Sequence, residues 1–405
     1  MRHFRMSNYP FRILAALSLS LLTFVAHAAV HRVHPGDSIQ AAVDSASPGD
    51  TIIVEPGTYQ EDPSGLYGLH ITTDNLRLIG KTRYSKSGEQ QKVRLLHNGD
   101  QETGIYAAPP GCGYRDNQCA AANLQDFYVR GFIVEGFPQN GIQTRWVDGF
   151  QFVRNESVNN LNNGIYPTLS ANGLVRNNVS YGSLDTSMWV AGSENVRVVG
   201  NELYGSPIGF EITVSKDVIV RDNDIHDNTV GVGLFHPNAA GTSPELADFS
   251  NWVIKNNDIY DNNLPNPAPI TTFQGGLPSG YGILLLGVSD HEIKRNHVEG
   301  NDSAGIAMLG WCTATELGDP ARNCINSPPI ADPSANNNLV ARNTLVGNGL
   351  NPAPLPLPGV DILYVQTPPP LGPEPGIGNC FKRNNPELFT FFATTADGQL
   401  PTDGC

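Results

Sequence analysis

Short runs of alternating apolar and polar residues recur along most of the chain. The clearest example lies between residues 218 and 235, where the apolar positions are Val218, Val220, Ile225, Val232 and Leu234. Alternation with a period of two is typical of strands that bury one face. Asn223 and Asn228 separate these runs, and neither corner has room for a helix. The stretch therefore predicts three short strands joined by two tight corners.

The same arrangement repeats, and an Asn marks its first corner each time. The recurring residues are Asn155, Asn178, Asn201, Asn223, Asn257, Asn296 and Asn343. They are separated by 23, 23, 22, 34, 39 and 47 residues, so the basic period is about 22 residues and the later repeats carry insertions. A period this short with three strands per repeat predicts a parallel β-helix. Its coils stack about 4.8 Å apart, and the corner Asn side chains are expected to form a hydrogen-bonded ladder along the axis.

The chain divides into four predicted segments. Residues 1–28 combine three Arg, an apolar run too short to span a bilayer and the sequence Ala26-His27-Ala28, which together are typical of a cleaved secretory signal peptide. Residues 29–50 contain a short amphipathic helix and form an N-terminal cap over the first coil. Residues 51–366 form the parallel β-helix, and the Pro-rich residues 367–405 form an irregular C-terminal cap. We therefore expect a periplasmic or secreted protein.

The chain is acidic, with a formal net charge of -14. An acidic exported protein is a poor candidate for binding nucleic acid or an anionic membrane surface. After the N-terminal segment no run is apolar enough to span a membrane, so we expect a soluble monomer. An acidic polysaccharide is compatible with this composition, but its binding would need local Arg residues or a bound cation.

The chain has six cysteines, and an even number in an exported protein indicates disulfides. Six cysteines allow fifteen pairings. We expect the local pairing because the first two pairs each lie inside one irregular segment. The expected pairs are Cys112–Cys119, Cys312–Cys324 and Cys380–Cys405.

The repeat resembles that of the right-handed parallel β-helix proteins of the pectate-lyase-like superfamily. Its Gly-apolar-x-apolar strands and corner Asn are similar to those of short-repeat members, which include NosD-like periplasmic proteins and mannuronan C5-epimerases. The resemblance covers about residues 52–366. It implies an all-β, single-stranded right-handed parallel β-helix. Because the shared pattern is a folding pattern, it indicates the fold rather than the activity.

The family geometry implies a groove over the sheet whose strands read Gly-apolar-x-apolar. The third residue of each strand is expected to point outward, and this column reads His70, Tyr106, Gln143, Tyr166, Trp189, Glu211, Gly233, Leu284, Ala307 and Asp361. Aromatic faces with polar neighbours suit sugar rings. The predicted substrate-binding residues are therefore His70, Tyr106, Gln143 and Trp189. In the alternative interpretation, these aromatic side chains only stack on one another.

Three long insertions are expected to flank the same sheet. They are residues 239–250, 264–279 and 311–336. Long loops gathered on one side of a rigid scaffold commonly carry function. We expect them to close one end of the groove, over Leu284 and Ala307.

Superfamily enzymes that act on uronates abstract the proton next to a carboxylate, which requires a base and a positive charge. The predicted catalytic residues are Arg145, Tyr166, Glu211 and His236. Arg145 would neutralise the substrate carboxylate, and His236 or Tyr166 would be the base. His236 can equally be a loop histidine with satisfied hydrogen bonds. Glycoside hydrolysis instead needs two carboxylates, and Asp185 is the residue that could pair with Glu211.

A second outward column lies three residues after the corner Asn. Its ring-bearing members are Tyr181, Tyr204, His226 and Tyr260. We interpret this column as a solvated stacked face rather than a binding surface, because no long loops flank it. The acidic residues beside it could hold Ca²⁺, and no other metal site is predicted.

Two classes of function remain open from the sequence. The first is an exported protein that acts on or binds a polysaccharide, expected to contain uronate, by lyase or epimerase chemistry. The Asp-Pro-His-Glu motif of the mannuronan epimerases is absent, which weakens the specific epimerase assignment. The second is a non-catalytic periplasmic accessory or assembly protein.

Overall fold

Each turn of the chain contributes one strand to each of three parallel sheets, here called sheets A, B and C. The computed structural model describes residues 28–116, 118–236, 249–312, 334–366, 376–386, 389–402 and 405. Within these residues sheet A has 12 strands, sheet B has 10 and sheet C has 11, and neighbouring strands belong to successive coils. The chain enters the sheets in the order A, B, C. The predicted parallel β-helix is therefore confirmed.

The strands are short, and their bounds follow the predicted repeat. Sheet A contains Val30–Val33, Thr51–Val54, Arg77–Gly80, Leu124–Arg130, Val147–Val153, Ala171–Arg176, Glu194–Val199, Lys216–Arg221, Ser250–Lys255, Glu292–Lys294, Leu339–Ala341 and Cys380–Lys382. Sheet B contains Gly57–Tyr59, Val93–Leu96, Phe132–Glu135, Glu156–Val158, Val179–Tyr181, Glu202–Tyr204, Asp224–His226, Asp258–Tyr260, His297–Glu299 and Thr344–Val346. Sheet C contains Tyr67–Ile71, Thr103–Ala107, Ile142–Arg145, Asn163–Thr168, Thr186–Ala191, Ile208–Thr213, Val230–Phe235, Tyr281–Leu286, Ala304–Leu309, Val360–Val365 and Phe391–Ala393.

The inward side chains of all three sheets meet in one apolar core along the axis. The predicted inward column of sheet A is fully buried, and its members are Phe152, Val175, Val198, Val220, Ile254, Ile293 and Val340. Because successive strands pair in register, residues of the same type stack directly on one another. Removing this apolar surface from water is the main favourable contribution to folding.

Buried amides hold the corner between sheets A and B. The predicted ladder is present and gains one member, so that it comprises Asn155, Asn178, Asn201, Asn223, Asn257, Asn296, Asn343 and Asn384. At a typical step, the backbone N and Nδ2 of Asn201 both donate to Oδ1 of Asn223 at 2.9 Å. The Nδ2 of Asn223 also donates to the carbonyl of Val198. The ladder thereby satisfies polar groups that water cannot reach.

A second ladder lies at the corner between sheets B and C, and its end corrects one prediction. The prediction placed Asp361 in the outward column of sheet C, but Ala307 pairs with Leu363, so Leu363 takes that position. Asp361 instead lies opposite the backbone of Gly305, and its Oδ1 accepts a hydrogen bond from Nδ2 of Asn348 at 3.0 Å. The observed register of this strand therefore differs from the predicted one by two residues. Asp361 is held in this position because it accepts the hydrogen bond of the last amide of the ladder, Asn348.

The two ends of the coil differ from the predicted caps. The helix Ile39–Ser45 lies in the expected N-terminal segment, and Ser38 Oγ caps it by accepting a bond from the Ala41 N–H. The strand Val30–Val33 lies in the same segment but already pairs with sheet A. At the other end, Cys380–Lys382 and Phe391–Ala393 extend sheets A and C beyond the predicted boundary at residue 366. The coil is therefore longer than the sequence pattern indicated.

The disulfides Cys112–Cys119 and Cys380–Cys405 are present, as predicted. Cys312 is also disulfide-bonded, and its predicted partner Cys324 lies outside the described residues. The predicted signal peptide lies almost wholly outside them too, since the description begins at residue 28. Within the described part of the chain, no helix is long and apolar enough to cross a membrane.

We expect Asn223→Ala to lower the free energy of unfolding by about 3 kcal/mol, because it leaves buried donors of Asn201 without an acceptor. Chemical denaturation followed by far-ultraviolet circular dichroism measures this change. The matched control is Asn123→Ala at an exposed position, for which we expect a change within about 0.5 kcal/mol. Equal effects of the two substitutions would contradict a stabilising ladder.

Candidate active site

The outward column of sheet C brings residues from successive coils into contact. Gln143 pairs with Tyr106 on one side and with Tyr166 on the other. Trp189 then pairs with Glu211, and Glu211 with Gly233. These residues are separated by about one repeat in sequence but by only about 4.8 Å in space. The predicted column is therefore assembled from Tyr106 through Gly233.

The first part of this column is covered rather than open. Tyr106 is fully buried, packs against Tyr67 and Tyr114, and donates its hydroxyl to the carbonyl of Cys112 at 3.0 Å. The cover is the loop that the Cys112–Cys119 disulfide closes. His70 stacks on the Tyr106 ring. These predicted substrate-binding residues thus form the floor beneath a loop instead of an open aromatic groove.

Gln143 and Arg145 are also occupied by protein groups. The side-chain amide of Asn140 donates to Gln143 Oε1 at 2.9 Å. The Arg145 guanidinium donates from Nη1 and Nη2 to the backbone carbonyls of Tyr114 and Asp116. Arg145 therefore anchors the covering loop, and its positive charge is not presented to a ligand in the way that the sequence analysis predicted.

Tyr166 and Trp189 are neighbouring aromatic residues of the column, and both are partly exposed. Their rings stack with centroids 4.6 Å apart and planes 11° from parallel. The indole Nε1 of Trp189 donates to Thr213 Oγ1 at 3.0 Å, which fixes the ring orientation. Burial raises the pKa of Tyr166 to about 12, so its phenol keeps its proton at neutral pH, and its role as the predicted base stays a prediction. The two residues form a short platform that combines apolar ring surface with a hydroxyl group.

Next to this platform lies a buried pair of carboxyl groups. Glu211 is 2% exposed and Asp185 is 8% exposed. The Thr186 hydroxyl lies 2.9 Å from Glu211 Oε2 and 3.0 Å from Asp185 Oδ1. Because both oxygens lie close to the same hydroxyl, they are at most about 6 Å apart, near the separation found in retaining glycosidases.

The shared hydroxyl indicates how many protons the pair carries. Thr186 has a single O–H and can donate to only one carboxylate at a time. Its second close contact is a hydrogen bond only if the other carboxyl group is protonated and donates to Thr186 Oγ1. The geometry therefore fits a pair that holds one proton between Asp185 and Glu211.

The electrostatic environment favours the same protonation state. Burial raises the pKa of Asp185 to about 7, and hydrogen bonds from Thr186 and Gln274 partly oppose this shift. Burial also raises the pKa of Glu211 well above its usual range, and the nearby Asp185 charge raises it further. Two carboxyl groups in one water-poor site cannot both ionise easily. At neutral pH the pair therefore favours a state in which Asp185 and Glu211 share one proton, and the two groups titrate as a coupled unit.

Beyond Glu211 the outward face of sheet C is apolar and covered. The buried residues Leu284 and Ala307 pack in one cluster with Leu277 and Trp311. Phe273 also packs on this cluster, with its ring against Phe235 and Trp311. The insertion at residues 264–279 therefore covers this end, as predicted. Most of the other two insertions, residues 239–250 and 311–336, lies outside the described residues, which omit 237–248 and 313–333.

His236 lies at the corner after its strand rather than in the outward column. It is 5% exposed and contacts the rings of Phe249 and Trp311. Gly233 is the residue that pairs with Glu211, and His236 follows it by three residues, which is about 10 Å along a strand. The structure does not bring the predicted base His236 together with Glu211.

The second aromatic column, on sheet B, is a continuous stack. Tyr181, Tyr204, His226 and Tyr260 lie face to face, with neighbouring ring centroids 4.7 to 5.2 Å apart. Their faces contact one another, so they are not available to a sugar ring. Among the described residues, no group of three or more His, Cys, Asp and Glu side chains is arranged to hold a metal ion, and this includes the acidic residues beside the stack.

From the sequence, Asp185 is predicted only as a potential partner of Glu211, and Thr186 and Gln274 are not predicted. Asp185 lies at the corner before the strand Thr186–Ala191, and Thr186 is the first residue of that strand. The predicted column used a later residue of the same strand, Trp189. A polar Thr186 in line with the apolar Ile208 and Val230 was a signal that the sequence contained. Gln274 lies on an insertion, in the short 3-10 helix Gln274–Gly276, and no repeat register predicts its position.

The fold is similar to that of known carbohydrate enzymes. The family model described as "right handed beta helix region" matches residues 140–319, and no curated protein matches the chain. The A-module of Azotobacter vinelandii mannuronan C-5 epimerase AlgE6 is 17% identical with a TM-score of 0.57, over 86% of this chain and 95% of that one. DFA-IIIase from Arthrobacter chlorophenolicus A6 without its lid is 13% identical with a TM-score of 0.52, over 87% and 84%. At these identities the likeness establishes a right-handed parallel β-helix and nothing finer.

We expect Glu211→Gln to stabilise the protein at about pH 8 by about 2 kcal/mol. Asp185 and Glu211 ionise at a lower pH in the unfolded chain than in the folded one, so they lower stability as the pH rises from about 4 through 7. The side-chain amide of Gln can still donate a hydrogen bond to Thr186, and it does not ionise. Thermal and urea unfolding at several pH values measure the difference.

The advantage of Glu211→Gln should disappear at about pH 4, where both carboxyl groups are neutral in the folded protein. Glu194→Gln, at an exposed position, is the matched control and should show no such pH dependence. A stabilisation that is the same at all pH values would contradict a raised pKa at this pair.

Proposed function

We propose that this protein is a carbohydrate-active enzyme that cleaves or transfers a glycosidic bond at the Asp185–Glu211 pair. The observation that carries the proposal is a buried pair of carboxyl groups that share the Thr186 hydroxyl. The pair lies directly beside the partly exposed Tyr166 and Trp189. This is a set of groups that glycosidic chemistry uses and that a folding scaffold does not need.

The roles follow from the shared proton. We assign Glu211, which pairs with the platform residue Trp189, as the general acid that protonates the leaving oxygen of the scissile bond. Asp185 is then the nucleophile or the base. The spacing of at most about 6 Å favours direct attack by a carboxylate over activation of a water between them. Thr186 keeps the two groups in a fixed geometry in either protonation state.

The aromatic platform is suited to hold a sugar beside this pair. Sugar rings present flat patches of C–H groups that pack on aromatic side chains, and Trp189 and Tyr166 provide apolar ring surface. The covering loop at Tyr106 and the apolar cluster at Leu284 lie at either end of this short stretch. We infer that the site accepts a short saccharide or a chain end.

The structural neighbours support a carbohydrate substrate only through the shared fold. Their names describe a mannuronan C-5 epimerase and a DFA-IIIase, the latter also solved with DFA-III. The two disulfides fit an oxidising compartment, which supports the proposal that the protein is periplasmic or secreted.

The uronate lyase or epimerase chemistry expected from the sequence stays a prediction. It requires a base and a free positive charge, whereas the phenol of Tyr166 is protonated and Arg145 is bonded to loop carbonyls. The carboxyl pair is therefore the better-supported catalytic group. The non-catalytic alternative predicts that no saccharide is turned over by the wild-type protein.

We expect Glu211→Gln and Asp185→Asn each to lower kcat/KM by at least about a thousandfold, because each removes one partner of the acid–base pair. Products formed from panels of neutral and acidic oligosaccharides are separated by chromatography, and ultraviolet absorbance detects the unsaturated products of a lyase. The matched control is Glu202→Gln on sheet B, which should keep full activity. Full activity in either pair variant would rule out the proposed mechanism.

In the wild-type enzyme kcat/KM should rise toward about pH 7 as the pair loses its first proton, and it should fall at higher pH as the pair loses the remaining shared proton. Trp189→Ala should raise KM by about tenfold and shift this alkaline limb to lower pH, because it admits water beside Glu211. A pH profile of the variant measures the shift. If Trp189→Ala changed neither the pH profile of kcat/KM nor KM, Trp189 would contact neither the substrate nor Glu211.

A further inference from the structure

A stripe of positive charge runs along the corner between sheets A and B, which is the corner that sheet C does not touch. Two adjacent columns form it: the last residue of each sheet A strand and the turn residue that follows. The ten Lys and Arg residues, here called the basic stripe, are Arg130, Arg154, Arg176, Arg221, Lys255, Lys294, Arg295, Arg342, Lys382 and Arg383.

This concentration of positive charge is unexpected in a protein whose overall charge is negative. The whole chain has only 25 Lys and Arg residues and a formal net charge of -14. The two columns between Arg130 and Arg383 contain one acidic residue, Asp222. The stripe spans nine strands of sheet A, which is about 40 Å at the spacing of stacked coils. A long positive edge on an acidic protein points to an anionic partner.

Most of the stripe is not neutralised by the protein itself. Arg221 pairs with Asp222, and Lys294 pairs with Glu292. The exposed residues Arg154, Arg295 and Arg342 form no ion pair with any described residue. The acidic residues of sheet B, such as Glu202 and Asp258, begin the next face, so they limit the positive potential to the edge.

The backbone conformation at four of these Arg residues is a second, independent observation. Arg154, Arg295, Arg342 and Arg383 all have φ between 54° and 58°, in the left-handed region. Other coils place Asn177 or Asn256 at the same corner, and Asn adopts this conformation more easily. An Arg there costs about 1 kcal/mol or more in backbone energy. These four side chains form no hydrogen bond or ion pair inside the described structure that offsets the cost, so a role outside the fold explains them better.

A shallow surface cavity lies at the N-terminal end of the stripe. Its volume is about 540 Å³, and its lining includes Lys81, Lys92, Arg130 and Arg154. Tyr84 and Glu156 also line it, and Lys92 forms an ion pair with Glu156. The cavity extends the row of cations by a pocket large enough for one charged sugar unit.

We propose that the basic stripe binds a linear acidic polysaccharide, which lies along the helix axis with one carboxylate for each coil. A hexuronate unit is about as long as the 4.8 Å step between coils, so successive carboxylates can meet the cations of successive coils, except at the coil that ends in Val199 and Gly200, which adds no cation to the stripe. Along the axis of a DNA duplex, the phosphates of one strand recur about every 3.4 Å, which does not match this step. The surface is distinct from the candidate active site, so the enzyme would hold an acidic polymer on one side and act on a saccharide on another.

The test compares the affinities of wild-type and variant protein for alginate and polygalacturonate, with dextran as a neutral polymer and a DNA duplex as a different polyanion. The stripe variant Arg295→Asn/Arg342→Asn/Arg383→Asn keeps a residue type suited to the left-handed corner. The control variant Arg32→Gln/Lys86→Gln/Arg115→Gln removes the same charge from exposed positions off the stripe. Circular dichroism and thermal unfolding establish that both variants are folded.

We expect the two uronate polymers to bind and dextran not to bind, with affinity that falls as salt is added. The stripe variant should bind about tenfold more weakly with a smaller salt dependence, whereas the control variant and Glu211→Gln should match the wild type. No uronate binding at low salt, or equal losses in both charge variants, would overturn the proposal. DNA binding as tight as uronate binding would overturn the assignment to a polysaccharide. Glu211→Gln separates this proposal from the catalytic one, since either can fail alone.

Discussion

The stacking of one coil on the next, held by the buried Asn ladder, is the interaction on which the rest of this structure depends. Each ladder amide both donates and accepts, so a coil that slipped by one residue would leave buried polar groups without partners. The ladder therefore fixes the register of all three sheets. Once the register is fixed, every position of the repeat becomes a straight column along the axis, and chemistry at one position is repeated about every 4.8 Å.

Both candidate surfaces are columns of this kind. The active-site column brings Tyr166, Trp189 and Glu211 together, although they are more than twenty residues apart in sequence. The basic stripe aligns Arg154 with Arg342 in the same way on another edge. The same scaffold can thus hold a small buried site and a long exposed one without conflict, because the two lie on different sides of the coil.

The candidate site is costly to the fold, which is a reason to assign it a function. Two carboxyl groups raised in pKa by burial destabilise the folded state at neutral pH. A scaffold selected only for stability would place apolar residues there, as later coils do at Leu284 and Ala307 in line with Glu211. Residues that break a local rule without a structural gain are expected mainly at functional sites.

Most of the fold followed from the sequence because the repeat is local and periodic. The intervals between corner Asn residues were sufficient to predict three strands per coil, the inward apolar column and the ladder. The last coil was misaligned because Asp361 stands in line with Gly305, and its carboxylate accepts the bond from Asn348 that an Asn side chain accepts in earlier coils. The terminal strands Val30–Val33 and Phe391–Ala393 were missed because they lack the corner Asn.

The sequence alone determined which residues share a column, since that depends only on the period. It did not determine which members of a column are open to solvent, because loops of irregular sequence decide this. The disulfide loop covers Tyr106 and engages Arg145, and the insertion that carries Gln274 reaches Asp185. Only the tertiary structure could therefore move the candidate chemistry from Arg145 and His236 to Asp185, Thr186 and Glu211, because burial and proton sharing arise from contacts that no repeat encodes.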